Sequence, residues 1–500
     1  MQESSLVKKN KIDRPDTPPV DWKRTFFILL GIGLFLGVYY SPPWPAVIDP
    51  LGISFNLSRE AKGALAIFCL AATWWVFEVV PIGITSLMIG TLQALFFIRD
   101  PKAAFTDFMD PSVLFIFGSL VIGMAFTKTG LTKRLAYKML SIIGERTAVI
   151  YLGCFVMTAL LTHFMAHTAV AATMFPLLMT INTLYSDEEH PTRFGKGLFI
   201  GMAYVAGAGS IVTLLGAARG AVALGFYKDI MEVDISFFQL TKYMFPIGWI
   251  MVFVLWGFFM VFCRPEKAEI TGLQERSKQL YRELGRWTRK ELLVVTIVGS
   301  VILVIALKNF TPSLAGLDKT GILLLSTISF FILKILHLED LENIPWNIIL
   351  LFSGAMSIGF CLWDTGAAKW LAVSWLQLFN KSSGIVFILG MAFFVMLMTN
   401  FIMNVAAIAI SLPVALVIAP YLGVSGEVIL FSSLVTAGMP FLLLVGAAPN
   451  AIAYSSKQFS IGEFFLYGIP ASMLLMVLIW LSVQVIWPLM GMTMTVPVPG

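Results

Sequence analysis

Apolar residues fall along this chain in long unbroken blocks, not in the alternation of a half-buried strand or the one-sided stripe of a surface helix. Stretches from Phe26 to Tyr40, Ala61 to Val79, Ile82 to Ile98 and Pro111 to Phe126, and others onward to Trp487, recur near the roughly 20 residues that a helix needs to cross a bilayer. They predict an all-α polytopic membrane protein. Water-exposed sequence is confined to a tail at 1–24, a connector at 264–290 and a short end at 491–500, which leaves a first half at 25–263 and a second at 291–490. The polar N-terminus lacks the short apolar core and small-residue cleavage site of a signal peptide, so Phe26 to Tyr40 is expected to be a retained helix.

Composition agrees with lipid as the main solvent: 58% of residues are hydrophobic, 13% are charged, and the mean hydropathy is +0.86. A formal charge of +5 is too small to indicate a nucleic-acid partner, and its placement says more than its size. Lys8, Lys9, Lys11, Arg14, Lys23 and Arg24 crowd the tail, and eight further Lys and Arg lie between Arg264 and Lys290. Cytosolic loops collect such residues, which places both segments inside the cell with an even number of crossings between them. Cys69, Cys154, Cys263 and Cys361 lie in or beside apolar blocks without metal-ligand spacing and read as small packed residues.

Three pairs of segments repeat in order. Ile122 to Ala136 matches Ile358 to Ala372 at a shift of 236, Thr162 to Leu177 matches Thr399 to Val414 at 237, and Gly216 to Ala223 matches Gly446 to Ala453 at 230. His163 then faces Asn400, His167 faces Asn404, and Pro176 faces Pro413. An odd number of crossing steps separates matching segments, so the halves are expected to be inverted. Interior prolines beside polar residues, and Gly-Ala-Pro clusters at 207–220 and 438–450, predict two hairpins and two broken helices. Broken helices expose N-termini that hold anions and unwound carbonyls that hold cations. Thr162, His163, His167 and Thr168 in one half, and Thr399, Asn400 and Asn404 in the other, are the polar candidates.

These features resemble the divalent anion/sodium symporter family of dicarboxylate, citrate and sulfate carriers. The resemblance rests on Trp74-Trp75 with Glu78 and Pro81, Asp110-Pro111, Lys128 to Leu131, Pro345-Trp346-Asn347 and Pro449-Asn450-Ala451, in that order and spacing. It implies about eleven spans, two re-entrant hairpins, a homodimer and a multi-pass place in the plasma (inner) membrane. It further implies substrate contacts at Ala166, His167, Thr168, Met403, Asn404, Val405, Arg219, Pro449 and Asn450, and sodium sites around Thr162, Ala166, His167, Gly209, Thr399, Asn404 and Ala447.

The hairpin tips, Ser-Asn-Thr in the family, read Ala166-His167-Thr168 and Met403-Asn404-Val405 here, and Arg219-Gly220 stands where the family favours Pro-Asn. Hard oxygen ligands are lost, chiefly at the first tip, and a fixed positive charge is gained. Arg219 is expected to replace one sodium ion and to pair with a carboxylate or sulfonate oxygen. Glu78, Asp364 and Lys128 are expected to be structural, and the charges from Arg264 to Arg289 a solvated amphipathic connector.

The expected function is secondary active transport of a small anion, a dicarboxylate, sulfate or sulfonate, by alternating access, with Na⁺ as coupling ion and no other cofactor. H⁺ coupling through His167 and anion exchange are the alternatives within transport. A channel would need a continuous polar pore, and His163 and His167 lack the HExxH pattern of a metalloenzyme. A non-transporting membrane sensor is the remaining alternative.

Overall fold

The computed structural model describes residues 22–48, 54–77, 79–186, 191–307, 311, 314, 316–379 and 383–497. Glu78 and the basic cluster from Lys8 to Arg14 lie outside them. Helices make up nearly all of the fold, apart from one small β-hairpin pairing Val47–Ile48 with Ser54–Phe55. In lipid a backbone must satisfy its own hydrogen bonds, and helices do so within one segment.

The first half runs α1 (Trp22–Tyr39), α2 (Arg59–Val76), α3 (Ile82–Leu95), the short α4 (Pro101–Thr106), α5 (Pro111–Thr129), α6 (Leu131–Ile143), α7 (Thr147–Thr162), α8 (His167–Tyr185), α9 (Arg193–Gly209), α10 (Arg219–Met231) and α11 (Phe237–Phe262). After α12 (Leu273–Glu283) come α13 (Arg289–Leu307), α14 (Lys319–Ile332), the short α15 (Leu338–Glu342), α16 (Trp346–Asp364), α17 (Ala367–Phe379), α18 (Gly384–Phe401), α19 (Asn404–Ile418), α20 (Gly426–Ala437), α21 (Ala448–Tyr454) and α22 (Ile461–Leu481). Among the described residues eight helical stretches are long and apolar enough to cross a membrane, and shorter apolar helices such as α7 and α20 join them.

The order from α4 to α11 recurs from α15 to α22, and the packing recurs with it. α3 packs on α16 while α14 packs on α5, so each half lays an early helix against the other. α10 packs on α19 and α20, and α21 packs on α8 and α9, so the second piece of each broken helix touches the opposite hairpin. Even the ion pairs repeat with reversed sign. Lys128 at the end of α5 pairs with Asp340 of α15, whereas Asp364, its counterpart at a shift of 236, pairs with Arg99 at 2.6 Å just before α4.

The connector is solvated and amphipathic as expected, its charged side chains exposed almost throughout, and its backbone is also tied to the transporter. Gly272 N–H donates to Glu145 and Arg193 N–H to Glu266, and α12 packs along α6. Arg134 of α6 is buried and donates to Glu291 of α13 at 2.7 Å and to the carbonyls of Leu284, Gly285 and Arg286. These are backbone acceptors that a helical reading of 264–290 does not display, and they turn the connector into a clasp. Tyr185 donates to Glu266 as well, and although burial acts to raise this carboxyl's pKa, the N–H groups of Arg193 and Phe194 and the Tyr185 hydroxyl together hold it below its ordinary value. Cys154, Cys263 and Cys361 are buried and unpaired.

Candidate anion site between two hairpins and two broken helices

Four helices begin around one cavity. α8 starts at the turn after α7, α19 at the turn after α18, and α10 and α21 resume after unwound stretches at 210–218 and 438–447. Their N-cap residues Ala166, Ala218, Met403 and Ala447 all line the cavity, and none caps its own helix with a side chain. Uncapped first turns present N–H groups and the positive end of the helix dipole, an arrangement that attracts anions. The cavity measures about 550 Å³. Its rim includes exposed Lys133 and half-buried Tyr137 from α6, the helix against which the connector packs.

The unwound backbone is held by specific groups. In the first break, His167 N–H donates to Gly216 O at 3.0 Å, Ser119 Oγ to Leu215 O at 3.1 Å, and Thr213 Oγ1 to His163 O at 2.9 Å. In the second, Asn400 Oδ1 accepts from the N–H groups of Leu442 and Leu443 at 2.8 and 3.2 Å, and Thr399 Oγ1 donates to Ala437 O at 3.1 Å. A Cβ on Gly216 would lie 2.5 Å from Thr162 O, and one on Gly446, its partner at a shift of 230, would lie 2.8 Å from Thr399 O. Both breaks therefore press a glycine against the carbonyl of a hairpin threonine. The breaks also meet each other, since a Cβ on Gly207 would lie 2.7 Å from Gly438 O.

Arg219, the first residue of α10, is only 2% exposed and lies where the breaks meet. Its Nη2 donates to Ser210 Oγ at 2.8 Å, and a Cβ on Gly438 would touch the same nitrogen at 2.7 Å. Its Nη1 has no partner, and no carboxylate among the described residues pairs with it. An unpaired guanidinium buried at this depth is costly, which makes a bound anion its natural complement.

Of the residues expected at the substrate, Ala166, His167, Thr168, Arg219, Met403, Asn404 and Val405 line the cavity together. Pro449 and Asn450 are not among its lining residues. Asn450 is buried behind the wall, where its amide nitrogen donates to Pro440 O at 2.9 Å and Leu443 O at 3.1 Å, and so holds the break instead of facing a ligand. Among the residues expected at cations, Thr162 packs against Gly209 behind the first tip, Thr399 lies behind the second, and Ala447 is on the wall. His163 turns away, edge-on to Trp249 with ring centroids 5.8 Å apart. Ser119 and Ser210 were not singled out from the sequence. Their only signal is a hydroxyl facing an apolar partner in the repeat, at Ala355 and Pro440.

Paired hairpins, paired broken helices and a shared anion-attracting cavity define a secondary active anion transporter, not an enzyme. The chain belongs to the family described as the sodium:sulfate symporter transmembrane region, which matches residues 45–493. It is 25% identical over 466 residues to a sodium-dependent dicarboxylate transporter, SdcS, of Staphylococcus saprophyticus, covering 89% of this chain and 90% of that one. The Staphylococcus aureus SdcS is 26% identical, with 89% of each chain covered. Among solved structures, MtrF of Neisseria gonorrhoeae, placed in a class of antimetabolite efflux pumps, superposes with a TM-score of 0.58 at 13% identity over 95% of this chain and 96% of its own. The YdaH transporter of Alcanivorax borkumensis does so at 0.54 and 14%, over 94% and 98%. These two likenesses concern the fold. The protein is a multi-pass carrier of the plasma membrane.

Proposed function

We propose that the chain carries a carboxylate or sulfur oxyanion by alternating access, coupled to Na⁺ bound behind the second hairpin tip, with Arg219 standing as a fixed cation at the first. The carrying observation is the guanidinium of Arg219, buried between the breaks with Nη1 unpartnered. Thr399, Asn404 and Ala447 with neighbouring unwound carbonyls offer the hard oxygen donors that Na⁺ needs. At the first tip a ring nitrogen of His167 replaces an amide oxygen, a poor ligand for a hard cation, and the fixed charge of Arg219 supplies the positive potential instead. Sodium binding at the second tip would draw Asn404 and the α19 N-terminus into register with the anion, so that carrier and anion move together. The proposal includes a homodimer and about eleven crossings, with the connector and the Lys133 rim on the cytosolic side. Related transporters named for sodium and dicarboxylates support the coupling ion.

The test is uptake of labelled succinate, sulfate and an alkanesulfonate into proteoliposomes under separate Na⁺ and pH gradients. The proposal expects uptake that follows Na⁺. Uptake driven by protons alone, or only by exchange against internal anion, would refute the coupling.

A further inference from the structure

The two halves do not contribute equally to the cavity. Among the described residues, the second half lines it with Pro345, Ile348, Phe352, Met403 and Val405 and two alanines, and Asn404 is its one polar side chain. The first half brings His167, Thr168, Thr173, Ser119 and Arg219 to the same space. Across the repeat the polar member of a pair falls on the first half each time: Ser119 against Ala355, Thr168 against Val405, Thr173 against Ile410, Arg219 against Pro449. Apart from Lys133 at the rim and its counterpart Lys369, only His167 and Asn404 are polar on both sides. A dianion with charges at both ends needs donors at both ends, because a buried carboxylate without partners is strongly disfavoured. At the second end the one side-chain donor is the Asn404 amide, and the first-turn N–H groups of α19 and α21 stand beside a thioether, an isopropyl group and a phenyl ring, against the guanidinium, imidazole and hydroxyls of the first.

We infer that the substrate is an organic anion with a single carboxylate or sulfonate, held by the first hairpin tip and Arg219, and an apolar alkyl or aryl body packed on Met403, Val405, Ile348 and Phe352. The inference rests on the anion-carrier reading and narrows it. The cavity of about 550 Å³ has room for such a body, being on the order of eighteen times the share of one water in the liquid. Met403 is suited to the contact, since a flexible thioether adapts to irregular apolar surfaces. Asn404, between Met403 and Val405, keeps its oxygen for the cation.

The experiment is equilibrium binding to the purified full-length protein in detergent, with and without Na⁺, using butane-, pentane- and hexanesulfonate beside succinate and sulfate. Affinity should rise about fourfold per added methylene, and hexanesulfonate should exceed succinate and sulfate by at least about tenfold. A Met403→Ser, Val405→Thr double variant, checked for monodispersity, should flatten the series and raise succinate affinity. Succinate or sulfate binding as well as hexanesulfonate, or a flat series in the wild type, would overturn the inference while leaving anion transport intact. A rising series indifferent to Na⁺ would uphold it and count against sodium coupling alone. Failure of all five anions to bind would overturn both readings.

Discussion

Replacing Gly216 by alanine tests whether the first break is held as tightly as its contacts imply. The new Cβ would lie 2.5 Å from Thr162 O, 2.6 Å from Ser210 O and 2.8 Å from Ser210 Cα, all backbone atoms that cannot rotate away. Ordinary contact begins near 3.4 Å, so the hairpin and the break must part by about 0.9 Å. Overpacking of this kind costs about 1–3 kcal/mol. The functional loss should be larger than the stability loss, because the same movement stretches the His167 N–H to Gly216 O bond of 3.0 Å and displaces the α8 N-terminus relative to Arg219. A displacement near 1 Å at a positioning site reduces rates by up to about a hundredfold. Gly257 in α11 is the control, since nothing lies within 4 Å of its Cβ position and alanine there relieves a helix-interior glycine. Thermal unfolding and initial uptake rates in proteoliposomes should show Gly216→Ala destabilised and at least about tenfold slower, and Gly257→Ala neutral or slightly more stable. If the two variants behave alike, the break is not a packed element and the account of the site fails.

Other substitutions separate structural from ligand-facing roles. Asn450→Ala leaves the Pro440 and Leu443 carbonyls without their donor and should lower stability by about 1–3 kcal/mol in thermal unfolding, whereas a purely ligand-binding asparagine would lose affinity alone. Arg134→Met should cost about 3–5 kcal/mol by stranding Glu291, and adding Glu291→Leu should recover part of that loss in the same melting assay. Glu266 has a carboxyl held below its ordinary 4.5, so its stabilising effect is complete above that value and fades as pH falls through the folded pKa. Glu266→Gln should therefore be less stable at neutral pH, and its melting temperature should change less between pH 6 and pH 3 than the wild type's.

The membrane fold was legible because lipid forces long apolar blocks, and the matched segments keep their prolines and glycines at nearly constant shifts. Pro176 with Pro413 and Gly216 with Gly446 fall at equivalent points of hairpin and break. The cavity residues at the tips were legible for the same reason. What was not legible depends on which backbone atoms an unwound stretch leaves open. Pro449-Asn450 looked like a ligand motif, yet the carbonyls of Pro440 and Leu443 claim the Asn450 amide. Lys128 and Asp364 are aligned with each other in the repeat, but each finds its counter-charge in the other half, at Asp340 and Arg99. The connector's mixed charges hide the fact that Glu266 is committed to the start of α9 and Glu145 to the N–H of Gly272.

Na⁺ dependence of uptake in wild type, Arg219→Lys and Arg219→Ala proteins, with folding checked by size-exclusion chromatography, tests the central claim most directly. The account predicts sodium-driven uptake with a non-sigmoidal Na⁺ dependence in the wild type, partial activity with lysine, and loss of uptake with alanine in folded protein. Retention of both substrate affinity and cation dependence by Arg219→Ala would contradict it.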